Sequence, residues 1–172
     1  MTINSDPLLA TFKLKHLTLK NRVMSTSHEP AYSENGLPTE RYQLYHEEKA
    51  KGGIGLTMFG GGTLIAPDSP AAYGNLYAGN DEIIPHFRAL ARRVHALGAA
   101  TMCQLSHLGR RPSNYAGDWL PVIAPSAVRE PAHRAFPKEM EDWDIKRIVK
   151  AYGAAARRSR EGDLDGIEVF AN

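Results

Sequence analysis

The sequence predicts an α/β fold: the N-terminal half of a (β/α)8 TIM barrel, preceded by a short β-hairpin and ending after the fourth strand. Three observations predict it. Short apolar runs alternate with amphipathic helical stretches, which means right-handed crossovers and a parallel sheet. The runs are apolar throughout, as strands covered on both faces should be. The phosphate fingerprint G-x-G-x-x-G of an open doubly wound sheet does not follow the first strand, and polar residues stand there instead.

Phe12, Leu14, Leu17 and Leu19, broken by Lys15-His16, predict the hairpin. Val23 to Ser27 is the first barrel strand. Pro38-Thr39 opens a helix through about Lys51, with Tyr42, Tyr45, His46 and Lys49 at helical spacing, and Gly52-Gly53 stops it. Ile54 to Phe59 is the second strand, ending in Gly60-Gly61-Gly62. Pro67, Pro70 and Gly74 then punctuate a loop. Asp81 to Leu97 is a helix whose apolar face carries Ile83, Phe87, Leu90 and Val94, with Gly98 as its stop. Ala99 to Leu105 is the third strand. The segment from His107 to about Glu141 holds five prolines and is too long for a plain connection. Asp144 to Glu161 is the third helix, expected to turn Ile145, Ile148, Val149, Tyr152 and Ala156 inward. Asp165 to Phe170 is the fourth strand. Residues 1–172 thus read as the N-terminal portion of a single domain, cut after that strand.

Composition bounds the function. The 172 residues are 42% hydrophobic and 23% charged, ordinary for a globular domain. No run of eighteen apolar residues predicts a membrane span, and Met1 to Leu9 lacks the pattern of a signal peptide, so a cytoplasmic location is expected. A net charge of +2 and scattered arginine pairs argue against nucleic acid. The single cysteine, Cys103, excludes an intrachain disulfide and offers no metal or iron–sulfur motif. Inside a strand, it reads as inert core.

In a barrel the strand exits carry the chemistry. Here they are Thr26-Ser27-His28-Glu29, Gly60-Gly61-Gly62, Gln104-Leu105-Ser106-His107 and Phe170-Ala171-Asn172. Each has a plain structural reading. A Ser or Thr at a strand end is usually a turn or cap. A glycine triplet is usually a loop, though it also lets a flat ligand lie on bare backbone. Gln104 ends an apolar strand, and an unpartnered amide there would cost roughly 1–3 kcal/mol. It pairs with a neighbouring strand or faces a ligand with both a donor and an acceptor. No lysine stands at any exit and Glu29 is a lone carboxylate there, which argues against an aldolase- or isomerase-type barrel.

Taken in order, these segments resemble the old yellow enzyme family of FMN-dependent NADH:flavin oxidoreductases. The resemblance rests on Leu19-Lys20-Asn21-Arg22-Val23, on Gln104-Leu105-Ser106-His107-Leu108-Gly109-Arg110 and on Ala124-Pro125-Ser126, with weaker support from Gly53-Ile54-Gly55-Leu56 and Gly166-Ile167-Glu168-Val169. Ser25-Thr26-Ser27-His28, Glu40-Arg41-Tyr42 and Glu47-Glu48-Lys49-Ala50 look most like the branch of N-methylproline demethylase, dimethylamine and trimethylamine dehydrogenases and 2,4-dienoyl-CoA reductase.

The resemblance implies FMN across the barrel mouth. Thr26, Ser27 and His28 would run under its ring, Gly61 would pack near the ring edge, and Gln104 would bond the pyrimidine part with its paired donor and acceptor. Glu29 falls where some relatives carry a cysteine. No catalytic residue is implied outright; His28 and Phe170 are the candidates on the substrate side. Many relatives place a histidine at the position of Phe170, so a histidine pair for an enoate substrate is not supported. A phenylalanine face suits an ammonium group, and oxidative demethylation of a small N-methylated amine is the expected reaction. NAD(P)H-dependent reduction of an enoate or 2,4-dienoyl-CoA is the alternative. No metal is implied within the chain. A 4Fe–4S cluster and NAD(P)H or a second flavin would involve segments after residue 172, and a homo-oligomer is the expectation for the full-length protein. A further alternative is that the 172-residue chain is inactive on its own, binding FMN weakly or not at all.

Overall fold

The structure, a computed structural model, describes residues 6–111, 121–132 and 134–171. Part of the expected proline-rich loop, residues 112–120 and 133, and the Asn172 end of the last strand exit lie outside these residues. An antiparallel hairpin, β1 (Phe12–Leu14) and β2 (Leu17–Leu19), comes first. Lys15 adopts a left-handed φ of 51° at its tight turn.

Four parallel strands follow: β3 (Met24–Ser25), β4 (Leu56–Leu64), β5 (Ala100–Ser106) and, numbered after two short strands described below, β8 (Gly166–Phe170). They lie side by side in the order of the chain. Helices α1 (Glu40–Lys51), α2 (Ile83–His95) and α3 (Asp142–Glu161) make the crossovers. The fold is therefore part of a TIM barrel, with β3 and β8 at the edges of its sheet.

The core lies between this sheet and the helices. Phe87, Leu90, Ala91 and Val94 recur at three- and four-residue intervals along α2, and all are fully buried. They meet Phe59, Cys103 and Leu105 from the strands. Gly53 and Gly98 stop α1 and α2 in left-handed conformations, at φ of 94° and 68°.

Three local expectations need correction. The second strand does not end at the glycines but runs through them to Leu64. The helix α3 does not bury Ile145 and Val149, which are 47% and 66% exposed; Ala155 and Ser159 are buried instead. Small residues let the helix approach β5 and β8 closely, so hydrophobicity alone misplaces its inner face. The long loop after β5 contains a two-stranded parallel pair, β6 (Ile123–Ala124) and β7 (Lys138–Glu139).

Candidate functional site

The sheet bulges where the glycines stand. Phe59 pairs with Cys103 and Thr63 with Leu105, so Gly60, Gly61 and Gly62 together face the single residue Gln104. Gly60 and Gly62 have φ of 83° and 89°, a region glycine enters without steric cost. Buried side chains satisfy the bulge. The Gly60 N–H donates to the Tyr42 hydroxyl (3.0 Å) and the Thr63 hydroxyl donates to the Gly60 carbonyl (3.0 Å). The Asn75 amide donates to the carbonyls of Gly61 (3.4 Å) and Gly62 (3.2 Å). The same amide accepts from the N–H groups of Ala72 (3.0 Å) and Tyr73 (3.3 Å), which fixes Tyr73 above the bulge.

A cavity of about 610 Å³ opens at this end of the sheet. The structure brings every sequence-predicted site residue to its wall: Thr26, Ser27, His28, Gly61, Gln104 and Phe170. Sequence reasoning missed Tyr73, Met58 and the contribution of Glu168. A tyrosine in a Pro/Gly loop has no period to betray it. Gln104 is only 7% exposed, and its Nε2 donates to Glu168 on the next strand at 3.3 Å. His28 reaches the Tyr45 hydroxyl on α1 at 2.8 Å. Burial and the Lys49 charge lower the pKa of His28. The backbone of His28 and Glu29 lies directly on Gly61, where a Cβ would come within 2.5 Å of the Glu29 nitrogen.

The walls beside the cavity are held from behind. The Tyr152 hydroxyl on α3 accepts from the His107 N–H (2.9 Å) and donates to the Phe170 carbonyl (3.2 Å), tying the exits of β5 and β8 together. His107 Nδ1 accepts from the Gly109 N–H at 3.1 Å, which leaves Nε2 to donate to Asp68 at 3.4 Å. Arg147 donates to both carboxylate oxygens of Asp68. Burial alone would raise the Asp68 pKa. The hydrogen bonds from His107 and Arg147 outweigh it and hold the carboxyl well below the usual carboxylate range. His107, Gly109 and Arg110 therefore do structural work in this chain: the Arg110 guanidinium donates to the Val128 carbonyl at 2.9 Å.

Two titratable groups with shifted pKa stand close by. One Glu29 oxygen accepts from the Ala31 N–H at 2.9 Å, and the other is buried with no hydrogen-bond partner among the described residues. Burial pushes the Glu29 carboxyl up to about 7, against the lowering effect of the Ala31 bond. His46 is fully buried, its Nδ1 hydrogen-bonded to the Thr57 hydroxyl at 2.9 Å. Burial, with the charges of Lys49 and His28, brings its pKa down to about 3.

These shifts act on stability in opposite senses. The lowered pKa of His46 makes stability fall with acid, from the usual histidine range near 6.5 down to about 3. The raised pKa of Glu29 adds stability below about 4.5 that is lost as the pH rises through 7. For His46 alone, linkage gives a loss of about 2–3 kcal/mol between pH 7 and 4.5. Glu29 offsets part of this, less than equal shifts would imply because it is only half-buried. The Glu29→Gln variant removes the offset. Urea unfolding at the two pH values should then show a steeper acid loss in the variant than in the wild type; equal slopes would refute this assignment.

Comparison with known proteins places the chain. Residues 7–172 match the NADH:flavin oxidoreductase / NADH oxidase family. A multifunctional alkene reductase/demethylase OYE of Caballeronia cordobensis is 54% identical over 99% of this chain. A probable N-methylproline demethylase of Rhizobium meliloti is 53% identical over 97% of it, and an N,N-dimethylglycine/sarcosine dehydrogenase of Chromohalobacter salexigens is 43% identical over 96%. The chain spans about a quarter of the length of these curated relatives (25%, 25% and 24%). Among solved structures, morphinone reductase superposes with a TM-score of 0.87 at 23% identity, covering 95% of this chain and 49% of that one. A 2-naphthoyl-CoA reductase superposes with 0.89 at 24% identity, covering 95% and 27%. These two support the fold. With the family match spanning residues 7–172 and so taking in the strand exits described above, the chain belongs to the NADH:flavin oxidoreductase / NADH oxidase family, the old yellow enzyme family.

Proposed function

We propose that this chain forms the flavin-ring side of an FMN-dependent oxidoreductase that oxidatively demethylates a small N-methylated amine. One observation carries the reading. The cavity that joins Gly61 and Gln104 is also lined by Tyr73, Phe170, Glu29 and Glu168, with no lysine or arginine among its described lining residues. Aromatic residues and the acidic Glu168 favour a cation. Gly61 adds no side chain to the wall, Thr26 and Ser27 line the same cavity, and the Gln104 carboxamide supplies a donor and an acceptor in one plane. These groups fit an isoalloxazine ring, with His28 and Phe170 left to face the substrate. When bound, FMN supplies the two-electron acceptor for the hydride removed from the N-methyl carbon. The relatives named for N-methylproline and for dimethylglycine or sarcosine support the same class.

Alkene reduction is the second reading, favoured by the relative whose name joins both activities. The FMN-loaded protein of the complete reading frame is expected to release formaldehyde from N-methyl substrates. Reduction of enoates or enoyl thioesters with no formaldehyde release would overturn the proposal in favour of the second reading. An FMN titration of the 172-residue chain alone should show weak binding, because β3 and β8 remain open edges of its sheet. A stoichiometric, tightly held yellow cofactor in that chain would contradict this.

A further inference from the structure

One polar atom at the cavity wall is left unanswered. Glu29 lines the cavity together with Gly61, and its backbone packs directly on that glycine. Its Oε1 accepts from the Ala31 N–H, while Oε2 is buried with no hydrogen-bond partner among the described residues. No lysine or arginine stands among the described lining residues. A carboxylate in this place is an uncompensated negative charge out of water, the costly form of the group.

The groups that face Glu29 bring no positive charge to it. Burial first, and the Glu29 charge after it, push the Tyr42 hydroxyl on α1 well above its usual range. Burial also pushes the Cys103 thiol on β5 up to about 12, the Glu29 charge adding to it against the Thr63 bond. Both therefore stay neutral near neutral pH. His28, on the same segment, is lowered by burial and by the Lys49 charge, so it too is neutral above about pH 7. Glu168 on β8 is the other carboxyl of the cavity, and it accepts from Gln104 Nε2 at 3.3 Å. Glu29 itself, brought up to about 7 by burial, is poised between its two forms at neutral pH.

A flavin ring lying at Gly61 adds a second charge when it is reduced, because the reduced ring is anionic. Two negative charges side by side and out of water are relieved by protonating one of them. We propose that Glu29 is a redox-linked proton site: its carboxylate takes up one proton from solvent when the bound flavin is reduced and returns it on reoxidation. The two electrons come from the substrate or another reductant, the proton forms the Oε2–H bond, and no bond of the protein breaks. Linkage makes the coupling reciprocal, so the protonated carboxyl favours the reduced flavin. The inference rests on the flavin placement proposed above, whichever substrate supplies the electrons.

The FMN-loaded protein of the complete reading frame tests it, as wild type, Glu29→Gln and Glu168→Gln. Midpoint potentials are measured between about pH 6 and 9. One proton per two electrons changes the reduction equilibrium tenfold per pH unit, which is about 30 mV. Above about pH 7 the wild-type potential should fall by that much more per unit than that of Glu29→Gln, and below it the two should run parallel. Glu168→Gln should keep the wild-type excess. The reduced-minus-oxidised infrared spectrum at about pH 8 gives a second readout. The wild type and Glu168→Gln should gain the carbonyl band of a protonated carboxylic acid, shifted by carbon-13 glutamate labelling, and Glu29→Gln should not. If Glu29→Gln fails to fold, that band in the other two proteins decides, and its absence overturns the proposal. Equal slopes in wild type and Glu29→Gln overturn the proton site and leave the flavin reading standing. Loss of the excess in Glu168→Gln alone assigns the proton to the other carboxyl and overturns it as well. A protein that binds no FMN overturns the flavin reading itself.

Discussion

Replacing Gly61 with alanine is expected to destabilise the protein by about 3 kcal/mol or more, at the upper end of ordinary overpacking, and to weaken flavin binding with it. The added Cβ would stand 2.5 Å from the Glu29 nitrogen, 2.6 Å from the His28 carbonyl carbon and 2.8 Å from its Cα. All three are backbone atoms, so no rotamer change relieves the contact. Either the bulge or the exit of β3 must move, and both form the cavity wall. Gly53→Ala is the control. It meets nothing within 4 Å but sits at a φ of 94°, so it should cost about 1–2 kcal/mol through conformation alone and leave the cavity intact. Urea midpoints and FMN titrations of the two variants decide the matter. If Gly61→Ala is no worse than Gly53→Ala in both, the close approach is not a constraint.

Asp68→Ala should give the second large effect, a loss of about 2–3 kcal/mol. Removing one partner of a fully buried ion pair costs about 3–5 kcal/mol. Here Arg147 is 38% exposed and can rehydrate, while His107 is 8% exposed and loses the acceptor for its Nε2 proton. For a chain of this size that corresponds to a drop of roughly 4–12 °C in Tm. The damage should be local. Asp68 joins the loop after β4 to His107 at the end of β5 and to Arg147 on α3. Hydrogen exchange should therefore quicken around residues 67–69 and 107–109 more than in α2. A uniform change across the fold would contradict this role.

The order and type of the main elements were legible because each rests on a local rule. Alternating runs and helical spacing give the strands β3, β4, β5 and β8 and the three helices, and the strand-exit rule gathers Thr26, Gly61, Gln104 and Phe170 onto one wall. The glycine triplet misled because three glycines read as a break. Their backbone groups are held by Tyr42, Thr63 and Asn75, so the strand continues. The face of α3 misled because close packing there uses Ala155 and Ser159, which carry little hydrophobic signal. The supports of the site were not legible at all. Asp68 and Arg147 lie 79 residues apart and His107 and Tyr152 lie 45 apart, and no periodic pattern links them. The short pair β6 and β7 has two residues in each strand, below the length at which alternation can be seen.

The strand order has a consequence for biosynthesis. Each strand of the parallel sheet pairs with the one made before it: β4 with β3, β5 with β4, β8 with β5. No strand has to wait for a later one to be inserted between itself and its neighbour. As the chain leaves the ribosome, the sheet can widen by one strand at a time, with each helix covering the strands already laid down. At every stage the growing edge is the newest strand, so translation and assembly proceed in the same direction.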